Sequence, residues 1–499
     1  MIDLHTLSDL AELDESVELE CKLAQGQDGK GELPKDFWPT YSAMANVHGG
    51  VVLLGVREKN RHFSVAGIEN IEKVRTDLFN NLNNRAKVSV NLLADNDVTP
   101  LTLEGKTVLA IRIPAATRKQ KPVFLNGQPL GHTYRRLHEG DRHCDDETVK
   151  RMLAEQLDDS RDARILNQFG LVDLDLGSLH AYRNLFAVQR PDHPWIAVDD
   201  ETFLRRIGGW GTDRGTGEQG LTLAGLLMFG QSPSITEAVP LYFLDYQELP
   251  ADAGSQTRWL DRVVPDGSWS GNLYDFYRKV IRKLTVDLKV PFVLKGDTRI
   301  DDTPLHQALR EALVNTLIHA DYSDRASVLV IKQPSGFFFR NPGTMRVPAD
   351  AALHGGASDC RNRTLHQMFL LINLGERAGS GLPKIRAAWE AEGHVLRLFD
   401  SLEPFDQTRL EMCWTADVHP GFTDTGAANA AEASGKTSGK TSGKILASIR
   451  ANPVITISEL ALSIGVTERS IERNLKKLQE EKFLSRVGPA KGGHWKASE

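Results

Sequence analysis

Residues 15–22 read ESVELECK, and residues 36–56 read DFWPTYSAMANVHGGVVLLGV. The first stretch alternates apolar Val17, Leu19 and Cys21 with Glu18, Glu20 and Lys22, the period of two that marks a half-buried strand. The second begins with a helical pattern and runs to Gly49-Gly50, where glycine accepts the left-handed backbone that ends a helix. VVLLGV is then a short apolar run of strand length. TVLAIRIP (107–114), closed by Pro114, adds another strand. Residues 1–150 therefore read as a mixed α/β domain.

Working outward, residues 151–290 hold three helical patterns, ETFLRRIGGW (201–210), LTLAGLLMFG (221–230) and LYDFYRKVIRKL (273–284). They also hold one strand-like run, PLYFLDY (240–246), and a Gly-rich stretch, GTDRGTGEQG (211–220), expected to be a loop or disordered connection. TPLHQALREALVNTLIHADYS (303–323) predicts a strong helix, with Thr303 as its cap and Pro304 at its first position. Strands SVLVIKQ (327–333) and GFFFRN (336–341) follow, joined by a hairpin-like turn at Pro334-Ser335-Gly336. Residues 419–444, HPGFTDTGAANAAEASGKTSGKTSGK, have nothing to bury and read as a flexible linker.

The chain has 499 residues, 40% hydrophobic and 25% charged. That composition excludes wholesale disorder, collagen and a simple coiled coil, and the length suggests about three domains. The longest nearly apolar run, Leu221 to Phe229, is far below the roughly 18 residues of a membrane span. MIDLHTLSDLAELDE is acidic and lacks the basic segment of a secretory signal. Cys21, Cys144, Cys360 and Cys413 form no disulfide framework and no CxxC clip, so a cytoplasmic protein with reduced thiols is expected. The net charge is −6, but it is unevenly spread. Residues 434–499 carry 12 Lys and Arg against 6 Asp and Glu, which leaves −12 on the remainder. A basic tail on an acidic body keeps a nucleic-acid partner open.

Three clusters have chemistry in their pattern. Glu15, Glu20 and Lys22 suit a metal-dependent nuclease, in which carboxylates hold a divalent metal and a lysine steadies water or phosphate. Alternating charges on a strand also describe a plain solvated face. In the 303–323 helix, Glu311 and Asn315 are four apart and share a face. An Asn oxygen there suits Mg²⁺ on phosphates, and the Glu suits orienting a water. In the tail, ILASIRANP (445–453), ITISELALSIGV (455–466) and TERSIERNLKKLQEEKFL (467–484) read as three helices. FLSRVGPAKGGHWKA (483–497) reads as a two-stranded wing. That order is a winged helix-turn-helix whose third helix enters the major groove. Ile471, Leu475 and Leu478 face the core. Arg469, Ser470, Arg473 and Asn474 are the candidate base or phosphate contacts, with Arg486 and Lys491 on the wing. The linker's GKT is not a P-loop, because Ala430 and Ser434 stand where its first glycine belongs. His143, Cys144, His306 and His319 lack metal-ligand spacing, and Trp495 reads as packing.

ESVELECK, AMANVHGGVVLLGV, Gly67-Ile68 and KPVFLNGQPLGHTYRRLHEGDRHCDDETV together resemble the prokaryotic Schlafen-type AlbA-like (divergent AAA) domain, over about residues 10–155. The resemblance implies an acidic nuclease site on Glu15 and Glu20, with Glu58 in place of the third acid, binding Mg²⁺ or Mn²⁺. Arg57 beside it departs from the family pattern. Arg135, Arg136 and Arg142 are then candidate phosphate contacts. EALVNTLIHADYS, FFFRNPGTM and LGERAGSGLPKI resemble, in that order, the histidine-kinase-type (GHKL) ATPase domain. By that resemblance Asn315 takes Mg²⁺, Glu311 is the base, Asn341 and Gly343 occupy the adenine-contacting step, and Gly379 and Gly381 cover the phosphates of ATP. Asn341 stands where the family has Asp. No Walker motif or helicase motor set is present.

The expected fold is multidomain α/β and α+β: an AlbA/Schlafen-like domain at 1–155, a helical and mixed connecting region at 156–300 without a motif of its own, a GHKL ATPase-like α/β sandwich at 301–416, a linker at 417–444 and a winged helix-turn-helix at 445–499. The combination resembles prokaryotic transcriptional regulators. It implies a DNA-binding, homo-oligomeric regulator with an effector- or nucleotide-sensing body and no membrane partner. Two alternatives stand beside it: a metal-dependent RNA or tRNA endonuclease in stress or anti-phage defence, and an ATPase.

Overall fold

The computed structural model describes residues 18–415 apart from 25, 27–30, 60–61, 138–139, 158–160, 252–257, 289–293, 296–297, 300–301 and 376–378. In the tail it describes 449, 456, 457, 460, 471, 475, 484–487 and 494–497. The chain forms two compact units, Met1–Val418 and His419–Glu499.

The first unit begins with β1 (Leu19–Lys22), α1 (Phe37–Asn46), β2 (Gly50–Leu54), β3 (Val56–Lys59), β4 (His62–Val65), α2 (Ile71–Leu82), β5 (Val98–Leu103), β6 (Lys106–Ile113), β7 (Tyr134–Leu137), β8 (Gly140–His143) and α3 (Asp146–Leu157). Four strands make a sheet in the order β1-β2-β6-β5, with β1 parallel to β2 and the other pairs antiparallel. Both faces of the sheet are covered. Phe37, Tyr41 and Met44 of α1 and Val74 and Leu78 of α2 pack with Val52, Leu54, Leu109 and Ile111. Leu19, Val51, Leu53, Val56, Leu103 and Val108 form a smaller cluster. Burial on both faces explains why β2 is apolar at every position. Helix α1 ends at Asn46 rather than at the glycines expected to cap it. Gly49 does adopt a positive φ of 80°, but as the turn into β2, and a Cβ there would lie 2.5 Å from the Ile113 carbonyl.

Next come α4 (Leu176–Gln189), α5 (Asp200–Ile207), β9 (Trp210–Thr212), β10 (Gln219–Leu221), α6 (Leu223–Phe229), α7 (Ser232–Ala238), β11 (Leu244–Glu248), β12 (Asp261–Val263), α8 (Leu273–Thr285), β13 (Leu294–Lys295) and β14 (Thr298–Arg299). The unit closes with α9 (Pro304–Ile318), β15 (Val328–Gln333), β16 (Gly336–Pro342), α10 (Ala349–His354), α11 (Arg363–Leu371), α12 (Gly381–Glu390), β17 (Val395–Ser401) and β18 (Gln407–Cys413). The helix starts follow the capping residues. Asp175, Asp199, Thr222, Asn272 and Thr303 each accept a backbone N–H from their own first turn.

Six strands form one mixed sheet, β12-β11-β15-β16-β18-β17. β11 runs parallel to β15, with Leu244 opposite Val328. The sheet therefore crosses the boundary drawn at residue 300, and one core spans Leu174 to Met412. The 240–246 strand begins only at Leu244, because Tyr242 is buried against Tyr322 and donates its hydroxyl to the Gly271 carbonyl. The GTDRGTGEQG stretch is a hairpin rather than a loop: β9 and β10 pair antiparallel, and the Asp213 carboxylate accepts the Gly215 N–H at 2.7 Å. Strands of three residues are too short to show a period. The 327–341 hairpin forms as expected, with Gln333 opposite Gly336.

In the tail, β19 (Leu484–Val487) and β20 (His494–Ala497) pair antiparallel, with Arg486 opposite Trp495. Ile471, Leu475 and Trp495 are buried, as the sequence pattern requires, and Leu478 lies outside the described residues. No described helix is long and apolar enough to cross a membrane.

One buried amide ties α1 to the loops around it. Asn46 donates to the Val123 and Tyr134 carbonyls at 2.8 and 2.9 Å and accepts the Val123 N–H at 2.8 Å. Asn46→Ala removes the partner of the Val123 N–H and a partner of the Tyr134 carbonyl, while Ser42 still donates to the Val123 carbonyl, and is expected to lower unfolding free energy by roughly 1–3 kcal/mol, measured in urea.

Candidate functional sites: an acidic strand and an effector cavity

Strand β1 carries the first candidate site. Glu15 lies outside the described residues. Glu20 accepts from Arg136 at 2.7 Å and from Lys22 at 3.2 Å. Arg136 also holds Asp141 at 3.0 Å, Lys22 holds Asp36 at 3.0 Å, and Thr40 donates to Asp141 at 2.5 Å. The β1 carboxylate thus sits inside a closed ion-pair chain whose cations, Lys22 and Arg136, are both buried. Burial pushes the neighbouring Glu18 carboxyl above its ordinary range, against the opposing pull of Arg136. Glu58 stands on strand β3 beside Arg57, and both side chains are exposed. Among the described residues no group of three His, Cys, Asp or Glu side chains is arranged to hold a metal.

The three arginines expected to meet phosphate divide. Arg136 is committed to Glu20 and Asp141. Arg135 reaches Asp406 of the six-stranded unit at 2.8 Å. Arg142 is exposed.

The second candidate site is a cavity of about 110 Å³, several times what one water needs. It lies where α9, α12, β16 and β18 meet. Glu311, Asn315, Asn341, Gly379 and Gly381, five of the residues expected to act together, line it. Glu311 accepts from the Asn315 amide at 3.2 Å. Gly381 begins α12 directly against this carboxylate, and a Cβ there would fall 2.0 Å from the Glu311 oxygen. Asn341 is buried on β16 beside Thr408. Gly343 is the exception: it turns away from this cavity to an adjoining one, and the Arg361 guanidinium occupies the space a side chain would take.

The charges at the other end of the cavity were not among the residues expected from the sequence. Arg346, Asp359, Arg361, His319 and His366 line it. His319 is held down to about 4 by burial first, then by Arg361, His366 and Arg346, so its ring is neutral near pH 7. Beyond them runs the seam with the N-terminal α/β domain. Arg118 meets Asp359 at 3.1 Å, Arg361 meets Glu155 of α3 at 3.2 Å, and Arg151 pairs with Asp324 and Arg325 with Glu147. The signal available in the sequence was only the Met345-Arg346-Val347 step, a cation in an otherwise apolar run after β16. Cys144 and Cys360 are buried thiols pushed up to about 12, chemically quiet at neutral pH. None of the four cysteines is in a disulfide bond.

In the tail, Arg469, Ser470, Arg473, Asn474 and Lys491 lie outside the described residues. Arg486 is placed on β19 by its backbone.

Comparison with known proteins finds matches over three separate stretches of the chain. Residues 15–145 match the family model described as Schlafen, AlbA_2. Residues 440–484 match winged helix-turn-helix DNA-binding. Residues 150–245, expected to have no motif of their own, match a domain of unknown function, DUF8451. No curated protein matches the chain. A Corynebacterium diphtheriae crystal structure aligns over 97% of this chain and 92% of its own, at 20% identity and a TM-score of 0.39. The N-terminal domain of a Nitrosomonas europaea protein, named as related to the ATP-dependent DNA helicase RecG, covers 28% of this chain and 90% of its own, at 28% identity and a TM-score of 0.21.

Two outcomes follow from the cavity. Gly381→Ala forces a methyl group onto the Glu311 carboxylate and is expected to lower stability by about 1–3 kcal/mol, read from urea midpoints. His319 binds its proton less readily folded than unfolded, so its stabilising contribution is complete above about pH 6.5 and is lost as pH falls toward about 4. The melting temperature of His319→Gln should therefore fall less than that of the unaltered chain across this window. Equal slopes would show that the ring titrates normally.

Proposed function

We propose that this chain is a DNA-binding transcriptional regulator whose tail reads duplex DNA and whose body senses a small effector in the α9 cavity. The observation that carries the reading is the winged helix-turn-helix DNA-binding match at 440–484, on a tail that is basic while the rest of the chain is acidic. Arg469, Ser470, Arg473 and Asn474 are the proposed contacts from the third helix, and Arg486 and Lys491 those from the wing. Palindromic operators pair two such modules, so a homo-oligomer belongs to the proposal. An effector biases DNA binding only by preferring one of two states of the body. Through a linker as long as 417–444, that preference acts by local concentration of the tails.

Within this reading the α9 cavity is a GHKL-like nucleotide site. Asn315 would hold Mg²⁺ on ATP phosphates, Glu311 would orient a water, and Gly379 and Gly381 would border the phosphates. The gathering of these four residues around one cavity supports it. Asn341, an uncharged group where the family has a carboxylate, weakens the hold on an adenine amino group.

A second reading, a metal-dependent RNA or tRNA endonuclease, draws on the AlbA_2 match. The Arg136 and Lys22 pairs on Glu20 oppose it, because a metal must displace two cations to reach that carboxylate. RNA binding without cleavage agrees better with this geometry.

Deleting residues 434–499 is expected to weaken duplex binding at least about tenfold at 0.15 M salt, measured by fluorescence anisotropy, while the melting transition of the body persists. Retained affinity would place the reader elsewhere. Labelled tRNA incubated with Mn²⁺ and the full chain is expected to stay intact. Cleavage that disappears in Glu20→Ala would make the second reading the correct one.

A further inference from the structure

Among the described residues, Arg346 is a buried cation without a close partner. Its side chain is 3% exposed, and its Nε and Nη2 have no hydrogen-bond partner among the described residues. Its Nη1 reaches only the Cys360 carbonyl, at 3.4 Å. The nearest carboxylates are Asp359 at 3.7 Å and Glu155 at 3.8 Å, beyond hydrogen-bond range.

Both acids already meet another cation, although the Asp359 oxygen that faces Arg346, Oδ1, accepts no hydrogen bond among the described residues. The Glu155 oxygen nearest Arg346 is held by Arg361 at 3.2 Å. Asp359 is held by Arg118 at 3.1 Å, and Arg118 also donates to the Glu155 carbonyl at 2.6 Å. Asp321, Asp324 and Asp400 compensate Arg361, which in addition donates to the Thr344 carbonyl at 2.9 Å. Arg118, Arg346 and Arg361 thus share two carboxylates, and Arg346 is left without a close partner while lining an open cavity. A guanidinium offers five donors in a fixed fork, and burial makes each unfilled one costly. The neutral ring of His319 beside it agrees with a positive local field.

We propose that this end of the cavity is an oxyanion subsite in which the Arg346 guanidinium takes a phosphate or carboxylate group of the effector. The proposal rests on the reading of the cavity as an effector site and adds the residue that takes the effector's anionic group, Arg346, which that reading did not use. The amide of Asn341 at the cavity wall suits a neutral hydrogen-bonding part of the same molecule. Because Glu155 belongs to α3 and Arg346 to the six-stranded unit, an anion on Arg346 enters the ion-pair chain that joins the two.

The test uses the full chain with inorganic pyrophosphate, malonate, and potassium chloride at matched ionic strength. Melting temperature and titration calorimetry are followed for the unaltered protein, Arg346→Met and Arg346→Lys. Pyrophosphate or malonate, but not chloride, is expected to raise the melting temperature at millimolar concentration, and the stronger of the two identifies phosphate or carboxylate. Arg346→Met is expected to weaken that binding about tenfold or more, Arg346→Lys less. Without anion, Arg346→Met should melt at the same temperature or higher, since an apolar chain replaces a poorly paired buried charge. No response to either anion, a full response in Arg346→Met, or a lower melting temperature of unliganded Arg346→Met would each overturn the proposal. Duplex binding is measured on the same unliganded protein. Its absence would remove the regulator reading and leave the anion subsite standing.

Discussion

Helix α9 sits under the six-stranded unit with little surface of its own. Ala308, Leu309, Ala312, Leu313, Val314, Leu317 and Ile318 are buried on it, and so is the carboxylate of Glu311. A buried charge of this kind persists only where polar groups meet it. Asn315, one turn along, supplies one, and the start of α12 is brought so close that a Cβ at 381 would displace the Glu311 carboxylate. The packing of α9, α12 and β16 and the existence of a polar cavity between them are thus one constraint. Filling the space would strand Glu311, and removing Glu311 would leave Asn315 and the α12 start to be satisfied another way.

A second constraint acts where the N-terminal domain meets the six-stranded unit. That seam is lined by Arg118, Arg135, Arg151, Arg325 and Arg361 against Asp359, Asp406, Asp324, Glu147 and Glu155. Buried ion pairs contribute little net stability but penalise every misaligned arrangement. They specify how two domains meet more than they hold them together. Of the N-terminal arginines expected to meet phosphate, Arg135 pairs across this seam with Asp406, and Arg136 pairs within its own domain with Glu20 and Asp141.

Much of the architecture was legible in the residues. Thr303 and Pro304 open a helix because one side chain accepts an orphan N–H and the other needs none. The hairpin at Pro334-Ser335 and the alternation around Glu20 follow equally local rules. The misreadings have a common cause. The short pair β9–β10, the late start of β11 and the sheet running across residue 300 all depend on partners distant in sequence. A three-residue strand has no period to read, and a buried Tyr242 looks like strand until its packing is known.

The sequence by itself determined most of the longer elements, the basic tail with its winged-helix pattern and the shared face of Glu311 and Asn315, because spacing along a helix is a local property, while Gly379 and Gly381 entered only through resemblance to a known family. Only the tertiary structure decided which charges are spent. Glu20 is neutralised by Arg136, 116 residues away, while Arg346 is buried without a close partner. Whether a charge is free depends on what the fold places within about 3 Å of it, and long-range contacts of that kind leave no period in the chain.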